Sequence, residues 1–294
     1  MNKQLRSLWF GFAFAVCAWL AAGCGGADPY RKLTPIERQI YLEPTLVSTL
    51  LSFDRVAQGY DSACMLTPAG EAWCWGSDET GQLGALTAKS CQSGLVACSW
   101  QPVRAQASLA FASLSPSRRH SCGIDVAGKA WCWGRNPYGV LGRGLSGASL
   151  VPAAVTGGHR FASLAVGGNF NCGLTSAGAA GCWGFALSLG DGVQAHSDVP
   201  VAVAGGHVFA SVSAGYQHAC GLTSDGMAWC WGVSFLTGSG TEDESKVPVA
   251  VAGDHRFRVL QAGGTATCAI SLAGLPLCWG LNANGAVGQN NLGP

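Results

Sequence analysis

Two cysteines at a fixed spacing, followed by Trp-Gly, recur five times along this chain, and this repeat limits its fold more than any other feature. In residues 219–232 the copy is ACGLTSDGMAWCWG. Every copy has a phenylalanine eleven positions before its first cysteine, and the second cysteine follows ten positions later. The phenylalanines are Phe53, Phe111, Phe161, Phe209 and Phe257. The steps of 58, 50, 48 and 48 residues place all length variation after Trp-Gly and indicate a repeat architecture.

Within a copy, short apolar runs alternate with turn signals. Residues 199–232 contain runs of Val, Ala, Phe, Leu and Trp separated by Gly-Gly, Ala-Gly and Asp-Gly, which is typical of strands and turns. We predict four strands in this copy, near 199–203, 208–213, 218–223 and 227–231. The runs are too short for helical apolar spacing.

Four-stranded units repeated about every 50 residues predict an all-β fold of the β-propeller type. A sheet this small can bury both of its faces only when it is packed between two neighbouring sheets. The last copy lacks a Val-Pro strand, whereas EPTLVSTLL (43–51) precedes the first phenylalanine. We therefore expect a propeller domain over 45–294 with five blades, the last one completed by the strand at 43–51. An open stack, or a larger ring made by paired chains, is the alternative.

Two stretches of the repeat resemble a known family. SAGYQHACGLTSDGMAWCWG (213–232) and GQLG (81–84) are similar to the repeat of the regulator of chromosome condensation (RCC1) family, and YGVLG (138–142) matches its tail more loosely. The resemblance extends over roughly 45–294 and implies a propeller that binds proteins. Five copies stand where the family usually has seven blades, and the motifs identify no residue for nucleotide exchange.

The cysteines of each copy are predicted to form a disulfide across a hairpin. A three-residue turn at Ser224, Asp225 and Gly226 places Cys220 directly opposite Cys230, and opposed Cα atoms at such a site lie about 4.5 Å apart. A two-residue turn would put the sulfurs on opposite faces of the sheet. The predicted pairs are Cys64–Cys74, Cys122–Cys132, Cys172–Cys182, Cys220–Cys230 and Cys268–Cys278. A sixth pair, Cys91–Cys98, lies in the segment that follows the first Trp-Gly, and we call each such segment a tail.

Other roles for the repeated side chains remain open at this point. The cysteines are also suited to be buried free thiols, or to bind zinc across two blades, although C-x9-C lacks the usual ligand spacing. The tryptophans of Trp-Gly are predicted to pack between blades. His159, His207 and His255 recur beside turns and are interpreted as turn residues, and His120 and His218 as structural hydrogen-bonding groups.

The N-terminus has the features of an export signal. Lys3 and Arg6 precede an uncharged run, Leu8–Gly23, that is too short to span a membrane comfortably. LAAGC (20–24) resembles the bacterial lipobox. The resemblance implies a signal peptide over 1–23, lipidation of Cys24 and a tether over 24–44.

This signal also predicts the location of the protein. The residue after Cys24 is Gly25, whereas a lipoprotein kept in the inner membrane would have Asp there. By this resemblance we expect an outer-membrane lipoprotein of the bacterial cell envelope. Plain secretion after cleavage near Ala22 is the alternative. Both routes lead to a compartment that permits disulfides.

Composition excludes some partners. Charged residues make up 11 % of the chain and the formal net charge is +1, so no basic stripe is available for nucleic acid. No local group combines a nucleophile with a base, or two carboxylates, as a hydrolytic site would need. We predict a monomer with no catalytic residue, no metal and no cofactor, attached to a membrane through its lipid.

The segments after Trp-Gly vary most and are the candidate binding sites. They leave equivalent strands at 77–101, 135–150, 185–198 and 233–246, so we expect them on one rim of the propeller, where loops on a rigid scaffold commonly bind partners. The candidate binding residues on this rim are Tyr138, Phe185, Phe235, Glu242, Asp243 and Glu244.

These features favour an envelope-anchored, non-catalytic scaffold that binds a protein or a glycan through this rim. One alternative is a propeller hydrolase or lyase for polysaccharide or antibiotic, which needs polar residues at one mouth of the channel. Another is a structural envelope component or an inhibitor of a secreted enzyme. Guanine-nucleotide exchange is not expected, because an exported chain does not meet a cytosolic GTPase.

Overall fold

The described part of the chain is all-β and consists of five antiparallel sheets. The computed structural model describes residues 47, 51–86, 90–91, 96–106, 108–282 and 285–288. In four of the sheets consecutive strands are neighbours, and in the first the order is β1-β2-β3-β5-β4. Each sheet is one blade of the predicted propeller.

The blades are numbered along the chain. Blade 1 contains β1 (Arg55–Gln58), β2 (Ser62–Leu66), β3 (Ala72–Ser77), β4 (Ser90–Cys91) and β5 (Val96–Arg104). Blade 2 contains β6 (Phe111–Pro116), β7 (His120–Asp125), β8 (Ala130–Gly134) and β9 (Ser149–Ala154). Blade 3 contains β10 (Ser163–Val166), β11 (Phe170–Leu174), β12 (Ala180–Gly184) and β13 (Ser197–Ala202).

Blade 4 contains β14 (Phe209–Ala214), β15 (His218–Thr223), β16 (Ala228–Gly232) and β17 (Ser245–Ala250). Blade 5 has three strands among the described residues, β18 (Phe257–Ala262), β19 (Ala266–Ser271) and β20 (Pro276–Gly280). Short 3-10 turns lie at Pro137–Gly139, Ala186–Ser188, Ala204–Gly206 and Ser234–Leu236. None of the helices in this described part is long and apolar enough to cross a bilayer.

The strand that carries Val-Pro closes the blade before it. β13 pairs with β12, with Val201 opposite Cys182, and β17 pairs with β16 in the same way. The four strands predicted over 199–232 are present as β13 to β16, but the first of them belongs to blade 3, and blade 4 runs from Phe209 to Ala250. A periodic sequence has no marked beginning, so only the pairing of the strands shows where a blade starts.

The two cysteines of each copy lie opposite each other on adjacent strands and are bonded. Cys220 lies opposite Cys230 in the register of β15 and β16. The N–H of Thr223 donates to the carbonyl of Met227 and closes a turn of three residues, in which Gly226 has φ +87°. The Cα atoms of the five hairpin disulfides are 4.0–4.1 Å apart, and those of the Cys91–Cys98 disulfide are 5.7 Å apart. The odd turn places both sulfurs on one face, as the register predicts.

The hydrophobic core lies between blades. Phe161 and Trp183 of blade 3 pack against Ile124 and the Cys122–Cys132 disulfide of blade 2. The same kind of cluster joins blades 1 and 2, blades 3 and 4, and blades 4 and 5. Each small sheet therefore depends on its neighbour for burial.

Each fully buried tryptophan also binds the tail of the preceding blade, and we call this contact the indole–tail contact. The Nε1–H of Trp183 donates to the carbonyl oxygen of Val140, 2.8 Å away, and Trp133 and Trp231 make equivalent bonds at 2.9 and 3.0 Å. Gly142 lies against the indole with φ +67°, and a Cβ atom there would be 2.8 Å from Nε1. The tail glycine is therefore required by both its backbone conformation and this close approach.

Buried histidines add polar contacts between blades. His218 Nε2 is hydrogen-bonded to Thr267 Oγ1 of blade 5 at 2.7 Å, and His120 Nε2 to Asn171 Oδ1 of blade 3 at 2.9 Å. Burial lowers the pKa of His218 to about 4. Burial also lowers the pKa of His120, although its bond to Asn171 acts in the opposite direction. Both rings are therefore neutral in the folded protein near pH 7.

The last described blade differs from the others. Trp279 Nε1 is buried and has no hydrogen-bond partner among the described residues, and Cys268 is exposed. The strand expected at 43–51 lies outside the described residues except for Val47 and Leu51, so closure of the ring by this strand stays a prediction. The predicted signal peptide, Cys24 and the tether also lie outside them.

Replacing Gly142 with Ala should destabilise the protein more than the same change at Gly144. Both glycines have φ +67°, but a Cβ at Gly144 would meet nothing closer than 3.7 Å, so the two variants share the backbone strain and differ in the clash with Trp183. We expect Gly142→Ala to cost about 2 kcal/mol more, roughly 5 °C in thermal midpoint. Thermal unfolding followed by near-UV circular dichroism measures both midpoints. Equal losses would contradict the indole–tail contact as a stabilising element.

Lowering the pH from 7 to 5 should destabilise the protein through His218. Its pKa is lower in the folded state than in the unfolded state, so its stabilising contribution is complete above about pH 6.5 and is lost as the pH falls towards 4. We expect a loss of about 2 kcal/mol from this residue. Urea unfolding at pH 7, 6 and 5 measures it.

The matched variant for this test is His218→Phe, because Phe170 occupies the equivalent position in blade 3. It should show a smaller dependence of stability on pH, with a residual dependence from His120. A variant that loses as much stability as the wild type between pH 7 and 5 would exclude His218 as the cause.

Candidate functional site

The tails and one set of short loops emerge at the same end of the blades. These loops join the first two strands of each blade, at 59–61, 117–119, 167–169, 215–217 and 263–265. The N–H of Arg135, which starts the tail of blade 2, donates to the carbonyl of Arg119 at 2.9 Å, and Phe185 in the tail of blade 3 donates to Asn169 at 3.0 Å. The variable tails therefore leave one rim, and the short loops lie beside them.

The five short loops surround one cavity, the axial pocket. It has a volume of about 440 Å³ and is lined by residues 58–60, 116–119, 166–169, 214–216 and 263–264. Every blade contributes to it, so the loops converge on the axis of the propeller. A cavity of this size is in the range of ligand sites.

Hydrogen bonds connect the loops of the axial pocket from blade to blade. Ser117 Oγ donates to the carbonyl of Gly167 at 3.0 Å. The N–H groups of Gly168 and Tyr216 donate to the carbonyls of Gly215 and Gly264 at 3.2 and 3.1 Å. A Cβ atom at Gly168 would lie 2.4 Å from the Tyr216 ring. The absence of a side chain at this position therefore lets the Tyr216 ring approach the backbone.

The axial pocket is cationic and has two aromatic surfaces. The guanidinium of Arg118 lies over the Tyr60 ring, 5.0 Å from its centroid, and Arg119 also lines the pocket. Tyr60 and Tyr216 are 69 % and 49 % exposed. The lining residues include no Asp, Glu or His, so the pocket combines positive charge with exposed rings and holds no carboxylate.

Three rings on the rim are in mutual contact, and we call them the aromatic cluster. Tyr138 lies 5.2 Å from Phe185 and 4.6 Å from His196, centroid to centroid, and Phe185 lies 5.3 Å from His196. His196 Nδ1 accepts a hydrogen bond from the N–H of Ala186 at 3.0 Å. Tyr138 is 45 % exposed and has φ +57°, a conformation uncommon for a residue other than glycine.

The structure brings together only some of the candidate rim residues. Tyr138 and Phe185 belong to the aromatic cluster, whereas Phe235 lies on the tail of blade 4 and makes no ring contact with the cluster in the described part of the chain. Glu242, Asp243 and Glu244 are all exposed on that same tail. His196 was not among the sequence candidates, because nothing in its local pattern indicates a partner on another tail.

Sequence analysis also missed the axial pocket. A signal was present, because the last two positions of each short loop vary between copies, whereas the first position is Gly in four of the five. The pairs are Tyr60-Asp61, Arg118-Arg119, Gly168-Asn169, Tyr216-Gln217 and Gly264-Thr265. Residues that break the symmetry of a repeat are where a specific site can be built.

The three turn histidines occupy separate blades. His159, His207 and His255 each lie beside the phenylalanine two positions later, with centroids 5.6–6.0 Å apart. Among the described residues, no group of three or more His, Cys, Asp or Glu side chains is placed to hold a metal ion. The contacts of these histidines are therefore those of packing residues.

Two segments of the chain match the regulator of chromosome condensation (RCC1) repeat, at residues 127–174 and 209–234. The chain is 33 % identical over 88 residues to the probable E3 ubiquitin-protein ligase HERC4 of Homo sapiens, which covers 30 % of this chain and 8 % of that protein. It is 27 % identical over 164 residues to the secretion-regulating guanine nucleotide exchange factor of Bos taurus, with 49 % and 32 % covered. The chain thus spans a third or less of these relatives.

Solved structures show the same fold. Human WBSCR16 superimposes with a TM-score of 0.72 at 21 % identity, over 84 % of this chain and 68 % of that one. Prp20p from Saccharomyces cerevisiae superimposes with a TM-score of 0.63 at 20 % identity, over 74 % and 56 %. Together with the matched repeats, these structures establish an all-β, RCC1-like propeller fold.

Proposed function

We propose that this protein is a non-catalytic scaffold of the bacterial cell envelope that binds another protein through its rim. The observation that carries the proposal is the aromatic cluster of Tyr138, Phe185 and His196. Exposed aromatic side chains held rigidly by their neighbours are the residues that dominate the binding energy of protein interfaces.

The backbone at Tyr138 supports this role. A left-handed conformation is unfavourable for a tyrosine, and such strain is commonly found at binding or catalytic sites. Two residues later, the carbonyl of Val140 accepts the indole–tail bond from Trp183. The scaffold therefore holds the strained residue in place and limits the entropy that it would lose on binding.

The relatives favour a protein ligand. The study of Prp20p describes its binding to Gsp1p and histones, and Kap60 has been crystallised with the same yeast protein. The fold is thus used elsewhere for binding proteins.

The chemistry of the axial pocket favours binding over hydrolysis. Hydrolases of polysaccharides use a pair of carboxylates, or another acid and base, close to the bond that breaks. The lining residues of the axial pocket provide arginines, tyrosines and amides instead.

Attachment to the outer membrane through Cys24 is part of the proposal. It is supported by the lipobox-like LAAGC sequence (20–24) and by the six disulfides, which suit an exported protein. A protein anchored in this way would present its binding rim in an oxidising compartment at the membrane surface.

Replacing Cys24 with Ser should move the protein from the membrane fraction to the soluble fraction, because the side chain that would carry the lipid is removed. Cys17→Ser is the matched control, since it changes a cysteine of the same leader and should leave the protein in the membrane fraction. Immunoblots of separated fractions and the intact mass of the mature chain measure both. Retention of the Cys24→Ser variant in the membrane would contradict lipid anchoring.

Replacing Tyr138 with Asn should weaken partner binding about tenfold or more, as expected for an interface hot spot. Asn tolerates the left-handed conformation, so the ring is removed with little change to the backbone. Phe185→Leu is a second variant that keeps apolar volume but removes a ring. The full-length protein serves as bait for cross-linking in envelope extracts, and the affinity of each identified protein is then measured by titration.

The control for this experiment is Val126→Ser. Val126 is 73 % exposed and follows the end of β7 that lies away from the tails, so its loss should leave binding unchanged. A partner that binds the Tyr138→Asn and Phe185→Leu variants as tightly as the wild type would refute the rim as the binding surface. Degradation of a polysaccharide by the wild type would refute the non-catalytic assignment.

A further inference from the structure

Within the part of the chain that the structure describes, neither arginine of the axial pocket forms an ion pair. Arg118-Arg119 is the only Arg-Arg pair in a chain that has 11 % charged residues. Both side chains are exposed. The salt bridge found among the described residues joins Arg104 to Glu71, 2.8 Å apart, and involves neither of them. Two adjacent positive charges at the mouth of a cavity without a carboxylate attract an anionic ligand.

The geometry of the pocket favours a carboxylate. A guanidinium presents parallel N–H donors that match the two oxygens of a carboxylate. Arg118 is oriented by its position over the Tyr60 ring, so part of the entropy cost of fixing its side chain is already met before binding. A neutral sugar would leave both guanidinium charges without a counter-charge, because the lining residues include no carboxylate.

The shape of the pocket favours a short segment of chain. Its volume of about 440 Å³ accommodates a few side chains and is too small for a folded domain. Tyr60 lies on the loop of blade 1, and Tyr216, on the loop of blade 4, offers a second ring that lies against Gly168. An extended acidic segment can therefore place carboxylates at the arginines and its backbone or apolar groups on the rings.

The loops of the axial pocket are joined by backbone hydrogen bonds to the tails that carry the aromatic cluster. Asn169 of the pocket accepts a hydrogen bond from the N–H of Phe185 in the cluster, and Arg119 accepts one from Arg135 at the start of the tail that carries Tyr138. A partner that packs on the cluster therefore has the pocket within reach of its adjacent residues. This connection favours a peptide ligand, because one protein can occupy both places.

We propose that the axial pocket binds an acidic segment of the partner protein, with Arg118 and Arg119 holding its carboxylates and with Tyr60 and Tyr216 contacting the rest. This inference rests on the proposed function and adds the chemical class of the segment that is recognised. The aromatic cluster provides apolar contact, and the axial pocket selects for negative charge.

A direct test uses full-length protein and a fluorescein-labelled tetraglutamate peptide, followed by fluorescence anisotropy. We expect saturable binding that weakens as salt is raised from 50 to 500 mM, since exposed charges are screened. The double variant Arg118→Gln/Arg119→Gln should bind about tenfold more weakly or worse, as expected for the loss of charge-assisted hydrogen bonds. A labelled tetraglutamine peptide should not bind measurably.

The matched control is Arg256→Gln/Arg258→Gln. Both arginines are exposed, and Arg256 lies beside the hairpin turns at the other end of the blades, where its carbonyl accepts from Leu272. The change in net charge is the same as in the pocket variant, so peptide affinity should be retained if the pocket is the site. Near-UV circular dichroism checks that both double variants are folded, and Arg118→Lys/Arg119→Lys, which keeps the charge but loses the planar fork, should show intermediate affinity.

Several results would overturn this assignment. Equal weakening by the two double variants would show attraction by net charge alone. Equal binding of tetraglutamine would exclude carboxylate recognition. Tighter binding of trigalacturonate or inorganic phosphate in competition would assign the pocket to a glycan or a phosphoryl group. The Tyr138→Asn variant should bind tetraglutamate normally, so failure of the pocket assignment is distinguishable from failure of the rim as the partner-binding surface.

Discussion

The contact between each buried tryptophan and the tail of the preceding blade is the interaction on which the rest of the structure depends. A four-stranded sheet such as blade 3, with strands of four to six residues, cannot bury its own apolar side chains. The indole of Trp183 packs between two blades, and its N–H donates to the carbonyl of Val140, which also accepts a hydrogen bond from Asn171 Nδ2. Gly142 allows the approach. The variable tail is thereby fixed at one point, and its remaining residues are free to differ.

This arrangement links stability to recognition. Tyr138 lies only two positions before Val140, whose carbonyl is bound by Trp183, so the aromatic cluster is built directly on a stabilising contact. The axial pocket has a similar foundation. Beneath the loop that carries Tyr216, His218 is hydrogen-bonded to Thr267 in the next blade. Tyr138 and Tyr216 are therefore positioned in part by interactions between blades.

Much of the local structure could be predicted from the chain. The spacing of Cys220 and Cys230 around an odd-numbered turn placed them on one face of a hairpin, and the structure has this register. The recurrence of Trp-Gly predicted packing between blades, and Trp133, Trp183 and Trp231 are fully buried. The strand predicted at 199–203 was grouped with the three strands that follow it, whereas β13 pairs with β12 across the tail of blade 3, and pairing over that distance is decided by tertiary structure.

What the sequence determined by itself is the set of strands, hairpin turns and disulfides, because these follow from residue alternation and from spacings of ten residues or fewer. Only the tertiary structure decided which variable residues meet. Tyr60 and Arg118 are 58 positions apart, and Tyr138 and Phe185 are 47 apart, yet each pair is in contact. Those contacts arise from the rotation of one blade relative to the next, a geometric quantity that has no signature in any single stretch of the chain.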